Sequence, residues 1–222
     1  MIVQQSQSVT LIGGAKVDNQ RLRRALALAP HLVAADGGAD TALLEGLMPD
    51  AVIGDFDSMS ESARDCIPSD RLHEISEQDS TDFDKCLSNI HAPLIIGVGF
   101  SGARQDHQLA AYNTLVRHPD QRCILLGRDE LVFLCPPSLR LDLPVGTRVS
   151  LFPMGAVEGV SDGLKWPIAG LNFAPDGRVG TSNLSTGTVH LNLTAPKMLV
   201  ILPAMALEAV AEALQQVVGS WA

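Results

Sequence analysis

The sequence predicts an α/β protein: an N-terminal open α/β sheet domain followed by a smaller antiparallel β-sandwich domain. Three observations predict it. Short apolar runs alternate with helix-like segments through about the first 135 residues, and that alternation builds an open sheet with helices on its faces. Runs such as "LIIGV" at 94–98 are apolar throughout, as strands buried on both faces must be. After Pro136 and Pro137 the texture changes to alternating segments punctuated by Gly and Pro, which suits antiparallel strands. The expected division is 1–136 for the α/β domain and 137–222 for the sandwich.

The elements follow in order. Residues 9–12 form a first strand, and Asp18 is placed to cap a helix over about 19–29, with Leu22, Ala25, Leu26 and Ala29 on one stripe. Residues 32–35 are a second strand, followed by "DGGAD" and a short helix through Leu43 and Leu44; residues 51–53 are a third strand. The 94–98 strand leads to a helix at 105–117 and a further strand at 123–126. In the second part, 139–143, 148–152 and "TVHLNL" at 188–193 alternate. Residues 198–206 read either as a last strand or as the start of a terminal helix that covers 207–218.

Composition narrows the function classes. With 46% hydrophobic and 18% charged residues the chain is globular. A net charge of −9 argues against nucleic acid as a partner, since phosphate backbones need a basic surface. No stretch is apolar enough to span a membrane, and the N-terminus lacks the pattern of a secretory leader. Cys66, Cys86, Cys123 and Cys135 form no CxxC pair; Cys66, Cys86 and Cys123 lie in helix-like or strand-like apolar contexts. Reduced, mostly buried thiols in a cytoplasmic protein are expected.

The acids are unevenly spread: 14 of the 25 fall between positions 36 and 84, against two bases, Arg64 and Arg71. The plain reading of such a stretch is a solvated face. The segment "IGDFDS" at 53–58 argues for more. Asp55 and Asp57 would share one side of an extended segment, where like charges repel unless something positive lies between them. Asp36, Asp55, Asp57, Asp79 and Asp82 form a candidate oxygen-only ligand set, which favours a hard cation, Mg²⁺ rather than Zn²⁺. Helix capping is the simpler role for a single Asp at a strand end, but a cap needs one acid and not two.

Other segments stand at strand ends, where open sheets collect ligands. Gly37 and Gly38 allow a phosphate or ribose to approach, or simply make a turn. "QDSTDFDKCL" at 78–87 begins a helix capped by Ser80 or Thr81, with Lys85 expected as a surface lysine. "GFSGARQDH" at 99–107 brings Arg104, Asp106 and His107 to the start of a helix, where an Arg can hold phosphate. Trp166, ahead of Pro167, is placed either to stack on a flat or cationic ligand or to cap a core. Ser182 and Asn183 offer hydrogen bonds to a heterocycle or to a turn.

Taken in order, "DGGAD", "IGDFDS", "QDSTDFDK", "GFSGARQDH", "GLKWPI" and "TSN" resemble the thiamine pyrophosphokinase (thiamine diphosphokinase) family, over about residues 12–193. The resemblance implies an α/β nucleotide domain, a β-sandwich that helps bind thiamine, and a homodimer with active sites near the subunit interface. It implies transfer of pyrophosphate from ATP to the thiamine hydroxyl, giving thiamine diphosphate and AMP. Asp36, Asp55, Asp57 and Asp82 look like the family's Mg²⁺ ligands and catalytic acids. Arg104 and Asp106, with His107 beside them and the Gly37–Gly38 turn, look like the nucleotide side. Gln78, Trp166, Ser182 and Asn183 look like the thiamine side, with room for Trp166 to reach across the dimer. Ala103 departs from the pattern, since many relatives carry Gly there, and no role is carried over to Asp84. The alternatives are a pyrophosphokinase acting on a pterin alcohol and a thiamine or nucleotide sensor without turnover.

Overall fold

The computed structural model describes residues 1–102 and 104–221, which divide into two compact units. The first comprises Met1–Thr114 and Leu125–Gly127; the second comprises Leu115–Ile124 and Arg128–Ala222, so Pro136 and Pro137 lie inside it.

The first unit begins with β1 (Val3–Gln4), β2 (Val9–Ile12), α1 (Asn19–Leu28), β3 (His31–Ala35), α2 (Gly38–Leu44) and β4 (Ala51–Gly54). It continues with α3 (Glu61–Cys66), β5 (Leu72–Glu74), α4 (Asp82–Asn89), β6 (Ile90–His91), β7 (Ile95–Val98), α5 (Gln105–Arg117) and β8 (Cys123–Leu126), the last two running into the second unit. The strands stand in the order β8-β7-β2-β3-β4-β5, while β1 and β6 pair separately. The pairs β7–β2, β2–β3, β3–β4 and β4–β5 are all parallel. Every residue of β2, β4, β7 and β8 is buried, which is why these strands read as unbroken apolar runs. The order reverses between β2 and β7, and loops leaving the carboxyl ends of β3 and β4 carry the acids.

Local chemistry starts the helices. Asp18 caps α1 by accepting from the Arg21 N–H at 2.8 Å, and the helix buries Leu22 and Ala25. Thr81 caps α4, which buries Phe83, Cys86 and Leu87. A Cβ on Gly38 would stand 2.1 Å from the Ile12 carbonyl oxygen, so only glycine lets α2 start this close to β2.

The second unit is β-rich: β9 (Glu130–Leu134), β10 (Ser138–Leu141), β11 (Arg148–Pro153), β12 (Gly159–Leu164), β13 (Gly180–Leu193) and β14 (Met198–Pro203), then α6 (Leu207–Gln216). All its pairs are antiparallel, in the order β10-β13-β11-β14-β9 with β12 also on β13. The 14-residue β13 is far longer than the six-residue alternation suggests. Its first part pairs with β11; from Ser185 onward it pairs with β12, and near its end also with β10, so one strand serves two pairings in succession. Residues 198–203 are therefore strand and not helix, and α6 lays Leu207, Val210, Ala211 and Leu214 inward.

Among the described residues no helix is long and apolar enough to cross a membrane. All four cysteines are free; Cys86, Cys123 and Cys135 are buried, whereas Cys66, at the end of α3, is exposed. Burial pushes the three buried thiols up, away from the reactive thiolate.

Candidate active site

The acids of the first unit converge. Asp36 follows β3, and Asp55 and Asp57 follow β4; one carboxylate oxygen from each lies within 4.8 Å of the others. The means differs from the pleat expected of "IGDFDS". The strand ends at Gly54, and Phe56 turns left-handed with φ 64°, so a turn and not an extended backbone brings Asp55 and Asp57 together. Gly54 is required there, since a Cβ on it would stand 2.8 Å from the Asp36 Cβ.

Neither Asp36 nor Asp55 caps a helix. The residue at the start of α2 is Gly37, without a side-chain cap. Asp36 is 2% exposed; its Oδ2 accepts from the Ser58 N–H at 3.0 Å, and its Oδ1 is buried with no partner. A buried carboxylate oxygen left bare costs free energy unless a cation or donor meets it. Burial raises the Asp36 carboxyl above its usual range, and the Asp82 and Asp57 charges add to that against the Ser58 hydrogen bonds. Burial likewise raises Asp82, with Lys85 opposing and Asp55 and Asp57 adding. Asp82 is thus coupled electrostatically to the three-carboxylate cluster without being part of it.

Lys85 corrects its expected place on the surface. Its side chain is 2% exposed, and Nζ donates to Asp55 Oδ2 at 2.8 Å and to Asp82 Oδ1 at 3.3 Å. Burial alone would lower the ammonium, but the contacts with Asp55 and Asp82 outweigh it and the net shift is upward. The same hydrogen bond from Lys85 is the largest cause that holds Asp55 below the usual carboxylate range. Part of the positive charge that the paired acids demanded therefore comes from α4. Gln78 also reaches this centre, donating to Asp55 Oδ2 at 3.0 Å. Asp79 does not join it: it is exposed, and its N–H donates to Glu77.

Ser58 was within the quoted motif but carried no expected role. Its N–H holds Asp36 and its hydroxyl donates to Asp57 at 2.8 Å, tying the two acid loops together. Arg64 of α3 stands 5.5 Å from the Phe56 ring centroid and pairs with Glu74 at 3.5 Å, bracing the turn from outside.

Gly37 lies against Ser58, beside the acids, where a Cβ on it would stand 3.1 Å from the Ser58 carbonyl oxygen. Arg104 and Asp106 form a forked pair at 2.6 and 3.3 Å, both largely exposed, and His107 is exposed beside them. Among the described residues no hydrogen bond or ion pair joins these three to the carboxylates. Ala103 lies outside the described residues. Gly38 is fixed by packing against Ile12, while Gly37 is partly open.

In the second unit, Asn183 of β13 meets the loop after β12 that carries Trp166, and Ser182 precedes it on β13. Trp166 is 53% exposed, with the Lys165 ammonium 4.7 Å from its ring centroid. Ser182 takes a left-handed backbone, φ 61°, and its N–H donates to Ser150 Oγ at 3.0 Å. Of the two roles open to Asn183, the structure shows the backbone one. Its Oδ1 accepts from the N–H groups of Trp166 and Leu184 at 3.1 and 2.9 Å, and its Nδ2 donates to the Trp166 carbonyl at 2.6 Å.

Fold and site together define an open α/β protein with an oxygen-only carboxylate centre at its strand ends, joined in sequence to a β-rich unit. Residues 22–125 match the family model described as thiamin pyrophosphokinase, catalytic domain. Thiamine pyrophosphokinase 2 of Arabidopsis thaliana is 33% identical over 155 residues, 61% of this chain and 58% of that protein. The chain therefore spans somewhat over half the length of that relative. Thiamine pyrophosphokinase 3 of Oryza sativa subsp. japonica is 29% identical over 208 residues, 75% of this chain and 76% of the relative. The solved structure of thiamin pyrophosphokinase from Candida albicans has the same fold, with a TM-score of 0.74 at 16% identity over 91% of this chain and 94% of the other.

Proposed function

We propose that this chain is a thiamine diphosphokinase that moves pyrophosphate from ATP to the hydroxyl of thiamine, giving thiamine diphosphate and AMP. The single observation that carries the proposal is the cluster of Asp36, Asp55 and Asp57, in which the buried Asp36 has an Oδ1 without a partner. It lies in a segment matched by the thiamin pyrophosphokinase catalytic domain.

The donor set fits Mg²⁺, because it offers carboxylate oxygens and no nitrogen or sulfur. Asp36, Asp55 and Asp57 would hold the ion, with Asp82 adjoining. Once bound, it supplies neutralisation of charge on phosphate oxygens. In the reaction the thiamine oxygen bonds to the β-phosphorus, the bridging oxygen leaves with AMP, and the hydroxyl proton passes to a carboxylate of this group. Lys85 and Gln78 fix Asp55 while this occurs, so the catalytic work of the chain is positioning and charge placement.

Arg104, Asp106, His107 and the Gly37 turn make up the nucleotide side in this reading, a phosphate taking over the guanidinium from Asp106. Gln78, Trp166, Ser182 and Asn183 make up the thiamine side in the same reading, Asn183 by its hold on the Trp166 backbone. The protein acts as a cytoplasmic homodimer, a reading supported by its buried free thiols and by resemblance to the family. The test is incubation with ATP, MgCl₂ and thiamine. Thiamine diphosphate and AMP in equal amounts are expected; ADP in place of AMP, or no thiamine-dependent AMP, overturns the assignment.

A further inference from the structure

Trp166 combines a fastened backbone with an open side chain. Lys165 N–H donates to the Leu184 carbonyl at 2.8 Å, and Ile168 N–H donates to Ser161 Oγ at 3.1 Å. Between them, both polar backbone groups of Trp166 are bound by the Asn183 side chain, and Pro167 has no N–H to satisfy. Asn183 is 7% exposed and Ile168 2%, whereas Trp166 is 53% exposed. An exposed indole on a backbone tied at Lys165, Trp166 and Ile168 is a rigid aromatic surface, and rigidity before binding reduces the ordering cost of a complex. The indole already attracts a cation, since the Lys165 ammonium lies 4.7 Å from its centroid.

We propose that Asn183 is a positioning residue that acts on the cationic heteroaromatic substrate through Trp166. Both lone pairs of its Oδ1 and one N–H of its amide are occupied by protein backbone, so its carbonyl has nothing left to offer a ligand. Its place immediately after the left-handed Ser182 makes the two neighbours divide the work. Ser182 shapes the strand, and Asn183 locks the strand to the tryptophan loop. The inference deepens the thiamine diphosphokinase reading and rests on it for the identity of the ligand.

The test uses the full chain carrying Trp221→Phe, so that Trp166 is the sole tryptophan. Asn183→Ala is expected to lower the fluorescence anisotropy of Trp166 without any ligand present. It should raise the KM for thiamine about tenfold, equivalent to about 1.4 kcal/mol, with the KM for ATP within about twofold. In a Trp166→Ala background the same change should leave the thiamine KM unmoved. Asn183→Asp, which keeps both acceptor contacts and loses the donor, serves as the second variant and should fall between the two. Unchanged Trp166 anisotropy in both variants overturns the clamp, as does a rise in thiamine KM that persists without Trp166. If the wild-type protein fails to turn over thiamine, the activity reading falls, and the ligand-free anisotropy still decides the clamp.

Discussion

Lys85→Met replaces a buried cation by an apolar side chain of similar length, and the structure sets the size of the effect. The ammonium stands 2.8 Å from one carboxylate and 3.3 Å from another. At an effective dielectric of about 20 the two attractions amount to about 6 and 5 kcal/mol before dehydration is counted. Dehydrating an ammonium cancels much of that, and loss of one partner from a buried ion pair costs about 3–5 kcal/mol. Asp82 retains 34% exposure, so water takes over part of its share and the lower end, about 3 kcal/mol, is expected. In EDTA that is a fall in Tm on the order of 10 °C. A divalent ion held by Asp55 as proposed would compete with Lys85 for that carboxylate, so added MgCl₂ should raise the Tm of the variant more than that of the wild type. Differential scanning calorimetry in EDTA and in MgCl₂ reads both quantities. A variant melting within about 2 °C of wild type in EDTA, or an equal response of both proteins to magnesium, would refute the reasoning.

Asp57→Asn should abolish turnover while keeping the wild-type circular dichroism spectrum, because Asp57 is exposed and its loss opens no cavity; appreciable thiamine diphosphate formation would remove it from the centre. Gly38→Ala should destabilise the first unit by about 3 kcal/mol or more, since the new methyl meets backbone and not a movable side chain; urea unfolding measures it. Asp18→Ala should cost about 1 kcal/mol through the lost cap of α1. The Asp18 carboxyl is held below its ordinary 3.8, first by the Arg21 N–H and then by the Arg21 side chain. Its contribution is therefore present above the unfolded value and vanishes as pH falls through the lower folded one. The difference between wild type and Asp18→Ala should narrow in unfolding curves taken below about pH 4.

What the sequence reveals follows from where water is. Strands β2, β3, β4, β7 and β8 are legible because burial writes them as apolar runs, and the expected 51–53 and 94–98 strands match β4 and β7 to within a residue at either end. The short β1, β5 and β6 carry no such run and stand outside the expected strands. β12, with the sequence "GVSDGL", is hidden because Gly and Asp disfavour strands, and only pairing with β13 makes it one. The first half of β13 is hidden in the same way, since "GTSN" reads as a loop. The acids of the centre were legible by type and by their places after β3 and β4, but their geometry was not. Lys85 finds Asp55 thirty residues away, a partner that no local pattern discloses. Without that partner a lysine belongs on the surface. Asn183 shows the same limit: an amide suits a ligand or a backbone equally, and only the fold brings the backbone of Trp166 to it.

Backbone strain links the two halves of the proposed chemistry. Among the described residues, the non-glycine positions with positive φ are Asp36, Phe56 and Ser182. For an aromatic residue such as Phe56 that conformation costs on the order of 1–3 kcal/mol and persists only where the surroundings enforce it. The surroundings are present in each case. Asp36 takes the Ser58 N–H, Phe56 lies under Arg64, and Ser182 is tied to Ser150 while Asn183 binds Trp166. None of the three positions serves the hydrophobic core, where strain would be a pure loss. At Phe56 the left-handed turn is what lets Asp55 and Asp57 face Asp36, because an extended backbone would carry the second acid onward along the strand direction. A relaxed loop would reach that geometry only part of the time, and each charged group would have to be gathered during the reaction. Holding the acids together in advance moves that cost into folding, where the buried sheet of the first unit supplies the stability to bear it.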